Sequence, residues 1–351
     1  MNKKSLEFLK DLIDTPSPSG FEEPAVEKWG KYIHEHTGLS IKSEMYGSGV
    51  CSIDKEEPSI MLCGHIDEVG MMISYINDEG YVYVSALGGI DAYILPTHRV
   101  IIYNKNGPVY GVIGQKPIHI ITDDDEREMK VYNQFIDIGA KDKEDALTKV
   151  SVGDPIVINA PFEELANNRI VARGLDDRMG AWCIAEALVA LNKSEKLKAS
   201  VYGVASVQEE NGSYGATISA YNINPDIALA IDVGITTDVP DVSKERWGDL
   251  KLGEGPIISI GSVVHKKVSQ SLLNVAESNR IPVQIQIEPR WSGTDADAIF
   301  MTRGGVATGI LSVPNRYMHT PVEMIQLDDL ENAVKLIVAW CESIPDVFGD
   351  V

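Results

Sequence analysis

The sequence predicts an α/β fold: a mostly parallel, doubly wound sheet flanked by helices, with an inserted small β-rich domain. Two changes of texture carry that prediction. Towards both ends, short apolar runs alternate with stretches of helical periodicity, as strand–helix–strand units require. Between Met71 and Phe162, short β-branched and aromatic runs instead follow one another, separated by Gly, Pro and charged turns. The two flanks share one texture, and neither is large enough to build a rich sheet alone. Residues 1–70 and 163–351 are therefore read as one α/β domain and residues 71–162 as a β-rich insert. A chain of 351 residues is long enough for two cores.

Taken in order, residues 4–14 and 22–37 place apolar side chains at helical spacing, with the turn TPSPSG between them. GVCSID (49–54) and SIMLCGHID (59–67) read as strands. In the insert, MMISYI, YVYVSAL, HRVIIYN, VYGVIG, VYNQFIDIG and DPIVINA fit a small barrel or sandwich. RIVARGL (169–175) then leads into the helix RMGAWCIAEALVALNKS, and ASVYGVASVQEE and DIALAIDVG follow as buried strands. In open α/β sheets ligands collect beyond the carboxyl ends of strands, where the sequence places His65, Glu209, Glu210 and Asp232.

Charge and cysteine content narrow the function. A formal charge of −21 repels phosphate backbones and anionic membranes, which argues against nucleic acid or membrane as partner. Cys51, Cys63, Cys183 and Cys341 are widely spaced, with no Cys-X-X-Cys, and read as buried free thiols of a cytoplasmic protein. The first twenty residues lack the apolar core of a signal peptide, and no run is long enough to span a membrane.

Each candidate site residue is unremarkable alone. His65 and Asp67 leave one face of an extended segment, so Asp67 can hold the second ring nitrogen of a metal-bound His65. Of Asp176 and Asp177, the latter suits a helix N-cap, whereas a carboxylate with its oxygens on two cations would make Asp176 a bridge. Glu209 and Glu210 would split roles, one binding metal and the other handling a proton. Asp232 in IALAIDVG is a buried charge that needs a salt bridge, hydrogen bonds or a metal. His319 lies in a polar loop after the apolar run ATGILSV. Jointly they supply two histidines, a bridging carboxylate, one further carboxylate per metal and a free glutamate. Such mixed nitrogen and oxygen ligation suits Zn²⁺, Co²⁺ or Mn²⁺ better than Ca²⁺ or Mg²⁺.

The motifs GHIDEVG (64–70), KPIH (116–119), GLDDRMG (174–180), QEENGSYGA (208–216), DVG (232–234), GTDADAI (293–299) and RYMHTPVEM (316–324) resemble, in order and spacing, the M42 metallo-aminopeptidases. That family includes glutamyl and tetrahedral (TET) aminopeptidases. The resemblance implies a catalytic domain carrying a PDZ-like insert, and two divalent metal ions per chain. It implies His65, Asp176 and Asp232 around one ion and Asp176, Glu210 and His319 around the other. It also implies Glu209 as general base, Asp67 orienting His65, and a cis-type peptide after Asp176. Its members assemble from dimers up to dodecamers. Asn211, Ser292 and Asp297 depart from the family pattern, which leaves open the preferred N-terminal residue.

The expected activity is removal of N-terminal residues from short peptides with a free amino terminus, through a metal-bridging water that Glu209 deprotonates to the attacking hydroxide. Three alternatives stand beside it. A cellulase-type glycosidase needs two carboxyls flanking a sugar bond, which consecutive glutamates supply poorly. A related binuclear deacylase or carboxypeptidase would tolerate an acetylated amine. A non-catalytic peptide-binding scaffold would need no metal.

Overall fold

The computed structural model describes residues 1–120 and 129–348. Its eight-stranded sheet runs, from one edge, Lys42–Ser43, Gly49–Ile53, Ala199–Ser206, Glu56–His65, Ile227–Ile235, Ala307–Asn315, Ile257–Gly261 and Gln284–Glu288. The central four strands are mutually parallel and the outermost pair, Ile257–Gly261 with Gln284–Glu288, is parallel as well. The remaining pairings are antiparallel, so the sheet is mixed, with a parallel centre. Pleating sends alternate residues to opposite faces. Ile60 and Leu62 enter the large core beneath helices Lys3–Asp14, Glu23–Thr37, Leu175–Leu191, Lys266–Asn279 and Leu327–Phe348. Met61 and Cys63 instead meet Ala216, Ala220 and Ile299 of the opposite layer.

The central helix, Leu175–Leu191, is apolar around most of its surface because neighbouring elements cover nearly all of it. Its indole Trp182 donates to the Ser5 carbonyl at 3.1 Å, and Trp29 donates to the Ala181 carbonyl at 2.7 Å. Both indoles thus satisfy their one polar atom while burying a large apolar surface. Glycines let the helix touch the sheet. A Cβ on Gly64 would lie 2.9 Å from the Gly180 carbonyl carbon, and one on Gly180 would lie 2.6 Å from the Ile231 carbonyl oxygen. This contact brings the end of the strand Glu56–His65 against the start of the helix.

Between Gly70 and Ile158, six antiparallel strands close a barrel in the order Gly70–Ile76, Val82–Leu87, Phe135–Asp137, Gly107–Ile113, Arg99–Asn104, Pro155–Ile158. Met71, Ile73, Val82, Val84, Val100, Ile102, Ile136 and Ile156 fill it. Phe162, just beyond, packs in the large core instead. The KPIH motif ends in the exposed 3₁₀ turn Ile118–Ile120, next to residues 121–128, which are outside the described part.

A buried ion cluster ties the turn that leads into the barrel's first strand to the helix. Glu68 Oε1 accepts from Arg178 Nη2 at 2.6 Å and from the Ser17 N–H at 3.0 Å, and Oε2 accepts from Arg173 Nη1. Burial opposes the Glu68 charge, but the two guanidiniums outweigh it and hold its pKa at about 2. Removing one partner of such a cluster strands a buried charge. Glu68→Gln should lower unfolding stability by about 3–5 kcal/mol in urea melts. A loss under about 1 kcal/mol would show that the cluster is not a structural anchor.

Candidate metal centre

The parallel register pairs His65 with Ser206, so the chain beyond Ser206 passes beside the His65–Asp67 turn. Asp67 exploits this neighbourhood. Its carboxylate accepts from the Glu209 N–H at 3.0 Å, the Glu210 N–H at 3.2 Å and the Ser19 hydroxyl at 2.7 Å. It also faces His65, whose Nδ1 is 3.2 Å from the Asp67 carbonyl and 3.4 Å from its Oδ1. Both are acceptors, so Nδ1 donates to them, and Nε2 is the ring nitrogen that faces the site and can give a lone pair to a cation once its proton is displaced.

That Nε2 lies 3.1 Å from Asp176 Oδ1 and 3.8 Å from Glu209 Oε2. The other Asp176 oxygen, Oδ2, lies 3.3 Å from His319 Nε2, which is also 3.4 Å from Glu210 Oε1. One carboxylate is thus divided between two histidines. His319 has the same tautomer as His65, because its Nδ1 donates to the Gly89 carbonyl at 2.9 Å. Gly89 belongs to the loop after the barrel strand Val82–Leu87, so the barrel takes part in the site. The side chain of Asn211 accepts from the Gly88 N–H at 3.1 Å and fastens that loop to the glutamates.

Two groups of potential ligand atoms result, each within 4.8 Å of one another: His65, Asp176 and Asp232, and Asp176, Glu210 and His319. Asp232 is buried within Ile227–Ile235, just past the pairing of that strand with Glu56–His65, which ends at Ala230 opposite Cys63. Glu209 and Glu210 diverge towards His65 and His319 respectively. Asp177 caps the helix through the Gly180 N–H at 2.9 Å, as its sequence position predicts, and also accepts the His65 N–H at 3.2 Å. The Asp176–Asp177 peptide is cis.

Electrostatics test whether these residues fit cations. Burial, with Asp232 and Asp295 nearby, pushes Glu209 up to about 9, and burial beside Asp176 pushes Glu210 up to about 7. Burial also drives Asp232 and Glu323 well above the carboxylate range. The Asp176 hydrogen bond raises His319 to about 10; for His65, Asp176 and Asp67 overcome a burial effect of opposite sign. Burial disfavours the Asp176 charge, but the histidines hold its pKa below the ordinary value. Glu210 Oε1 is buried and accepts no hydrogen bond. A nest of acids, histidines whose Nε2 atoms face inward and a carboxylate oxygen without a hydrogen bond is a donor set that divalent cations fit, displacing the bound protons.

Two residues with no role assigned by the sequence reading also belong here. Glu323 accepts the backbone N–H groups of Asp176 and His319. Asp295, in the GTDADAI motif, accepts from Ser206 and from Cys63 Sγ at 3.4 Å, while its Oδ1 is buried without a partner. Their motifs were the available signal, but neither the TPVEM nor the GTDA pattern states which backbone it meets. A cleft of about 750 Å³ opens over Glu209, Glu210 and His319, with Tyr221, Asp297 and Arg303 further along its wall.

A family profile described as M42 glutamyl aminopeptidase matches residues 47–336. The chain belongs to the M42 family. It is 31% identical to the lysyl aminopeptidase of Pyrococcus furiosus, over 96% of this chain and 97% of that one. It superposes on aminopeptidase APDkam598 of the archaeon Desulfurococcus kamchatkensis with a TM-score of 0.90, at 36% identity over 99% and 98% of the two chains. The TET1 peptidase of Pyrococcus horikoshii, which can assemble into a tetrahedron or a large octahedral shell, is 34% identical over 96% and 99%, with a TM-score of 0.87. This M42 chain is accordingly a metal-dependent aminopeptidase, a hydrolase acting on peptide bonds.

The raised acids give the metal-stripped aminopeptidase a defined pH response. A carboxyl whose folded pKa lies above its unfolded value stabilises fully below the unfolded pKa, and that stability is lost as pH rises through the folded value. Glu209 and Glu210 set this window from about pH 4.5 up to about 9, each contributing up to about 1.4 kcal/mol per pH unit within its own range. Chelator-treated protein should melt at a lower temperature at pH 9 than at pH 6. Added Zn²⁺ or Co²⁺ should raise the melting point most at the higher pH. A stripped protein that gains stability over this range would contradict the electrostatic reading.

Proposed function

We propose that this M42 aminopeptidase removes N-terminal residues from short peptides at a centre of two divalent cations, Zn²⁺ or Co²⁺, with Mn²⁺ also compatible. The observation that carries the reading is the division of the Asp176 carboxylate between His65 and His319 at 3.1 and 3.3 Å. His65, Asp176 and Asp232 would hold one cation, and Asp176, Glu210 and His319 the other. When bound, the cations supply Lewis acidity, polarising a scissile carbonyl and acidifying water.

Glu209 is the general base in this proposal. Its carboxyl faces the site, 3.8 Å from His65 Nε2, in a buried setting that favours holding a proton. It would take the proton of the attacking water and return it to the leaving amine. Asp67 holds Glu209 and Glu210 by their backbones and keeps His65 in the tautomer that leaves Nε2 free. The consecutive glutamates are anchored by one carboxylate on one wall, which counts against a glycosidase, whose carboxyls flank the sugar bond.

Among the described residues, the barrel's apolar core draws only on those between Met71 and Ala160, which supports an inserted domain at 71–162 within a catalytic domain of 1–70 and 163–351. The tetrahedral and octahedral assemblies of the Pyrococcus horikoshii relative, and the dodecamer of the similar structure PhTET1-12s, support self-association, here proposed to run from a dimer to a dodecamer. The four cysteines are free and buried, which supports a reducing, cytoplasmic location. No helix among the described residues is long and apolar enough to cross a membrane.

Two measurements test the proposal. Metal-reconstituted protein, incubated with a peptide library half of which is N-acetylated, should shorten only the free-amine half, stepwise from the amino terminus, by mass spectrometry. Cleavage of acetylated peptides would point to a deacylase or carboxypeptidase instead. Glu209→Gln should keep both metals while kcat falls by a factor of about 10² or more. Near-normal turnover in that variant would remove Glu209 from the role of base.

A further inference from the structure

The two cation positions are built differently. His65 and Asp232 stand on Glu56–His65 and Ile227–Ile235, central strands whose ladder hydrogen bonds hold the backbone. Asp176 and His319 have no such support. Asp176 sits at φ −78°, ψ 111°, outside helical geometry, and His319 is in the left-handed region at φ 59°. A buried N–H outside regular structure must find an acceptor.

Both find the same one. Glu323 Oε2 accepts the Asp176 N–H at 3.1 Å and Glu323 Oε1 accepts the His319 N–H at 2.8 Å. Glu323 is 2% exposed and begins the strand Glu323–Gln326, where it pairs with Ala172. It is therefore fixed to the chain that leads into the central helix. We propose that Glu323 is a positioning residue that presets the Asp176–Glu210–His319 cation position by fastening the backbones of two of its three ligands to one carboxylate. This rests on the proposed assignment of those residues as ligands. The Gly89 carbonyl orients the His319 ring, and Glu323 sets where that ring begins. The His65–Asp176–Asp232 position shares only Asp176 and depends far less on the clamp.

Glu323→Gln keeps the size of the side chain but offers one acceptor oxygen, so one of the two N–H groups faces an amide NH₂ instead. Cobalt(II) titration of chelator-stripped protein, followed by visible absorption, resolves the two positions. In E323Q the cobalt whose binding H319A weakens should itself weaken about tenfold or more, the size of effect seen when partners of metal ligands are lost, while the other binds within about twofold of wild type. E323D, which keeps the charge but shortens the reach, should show the same selective loss, so either variant decides the matter if the other fails to fold. Both affinities within twofold of wild type would overturn the inference. An equal loss at both positions would also overturn it, since that reports general loosening. H319A separates the underlying assignment: a H319A protein that still binds two cobalts with wild-type affinity would refute the ligand set itself. H319A losing one cobalt while E323Q keeps both would refute only the clamp.

Discussion

The constraint on which the rest of this structure depends is the concentration of negative charge around Asp176. Asp176, Glu209, Glu210, Asp232 and Glu323 are gathered at the ends of the central strands with only two histidines among them. Two like charges 4 Å apart at an effective dielectric constant of about 20 repel by about 4 kcal/mol. Left to itself such a nest must bind protons. The upward displacement of Glu209, Glu210 and both histidines is that tendency, and divalent cations relieve it more fully than protons do.

Holding such charges together takes rigid surroundings. The parallel centre of the sheet delivers His65, Asp232 and the chain leading to Glu209 to one edge, and the glycine contact between Gly64 and Gly180 draws the helix start to that edge. Beneath it, Glu68 and its two arginines brace the turn after Asp67. Three carboxylates then act on backbone rather than on chemistry. Asp67 holds the N–H groups of both glutamates, Asp177 holds that of His65, and Glu323 holds those of Asp176 and His319. Acidic residues thus build the frame as well as the donor set. This also shows why motif residues without an obvious chemical role recur around the ligands in this chain.

The barrel is more than an appendage to this arrangement. Its loop at Gly88–Gly89 touches the centre twice, through Asn211 and through His319 Nδ1. A Cβ on Gly88 would lie 3.0 Å from Glu210 Cβ, so the loop approaches as closely as backbone allows. Asn211 and Asp297 both have partners beside the cleft: Asn211 the Gly88 N–H, and Asp297 the N–H groups of Ser292 and Gly293. Both serve to hold loops around the cleft.

The sequence by itself determined the class of fold, the β-rich interruption and the residues of the candidate centre. Hydrophobic periodicity is a local signal, and each ligand candidate sits inside a compact motif such as GLDDRMG or RYMHTPVEM. Only the tertiary structure decided how those residues meet. That antiparallel pairings join the sheet's parallel centre to its outer strands, that the six barrel strands close, and that Asp176 turns one oxygen to each histidine depend on register and packing between distant segments. Glu323 and Asp295 escaped assignment for the same reason. Their partners are a backbone N–H or a hydroxyl far along the chain, and a hydrogen bond to backbone leaves no residue type at the other end for a sequence to display.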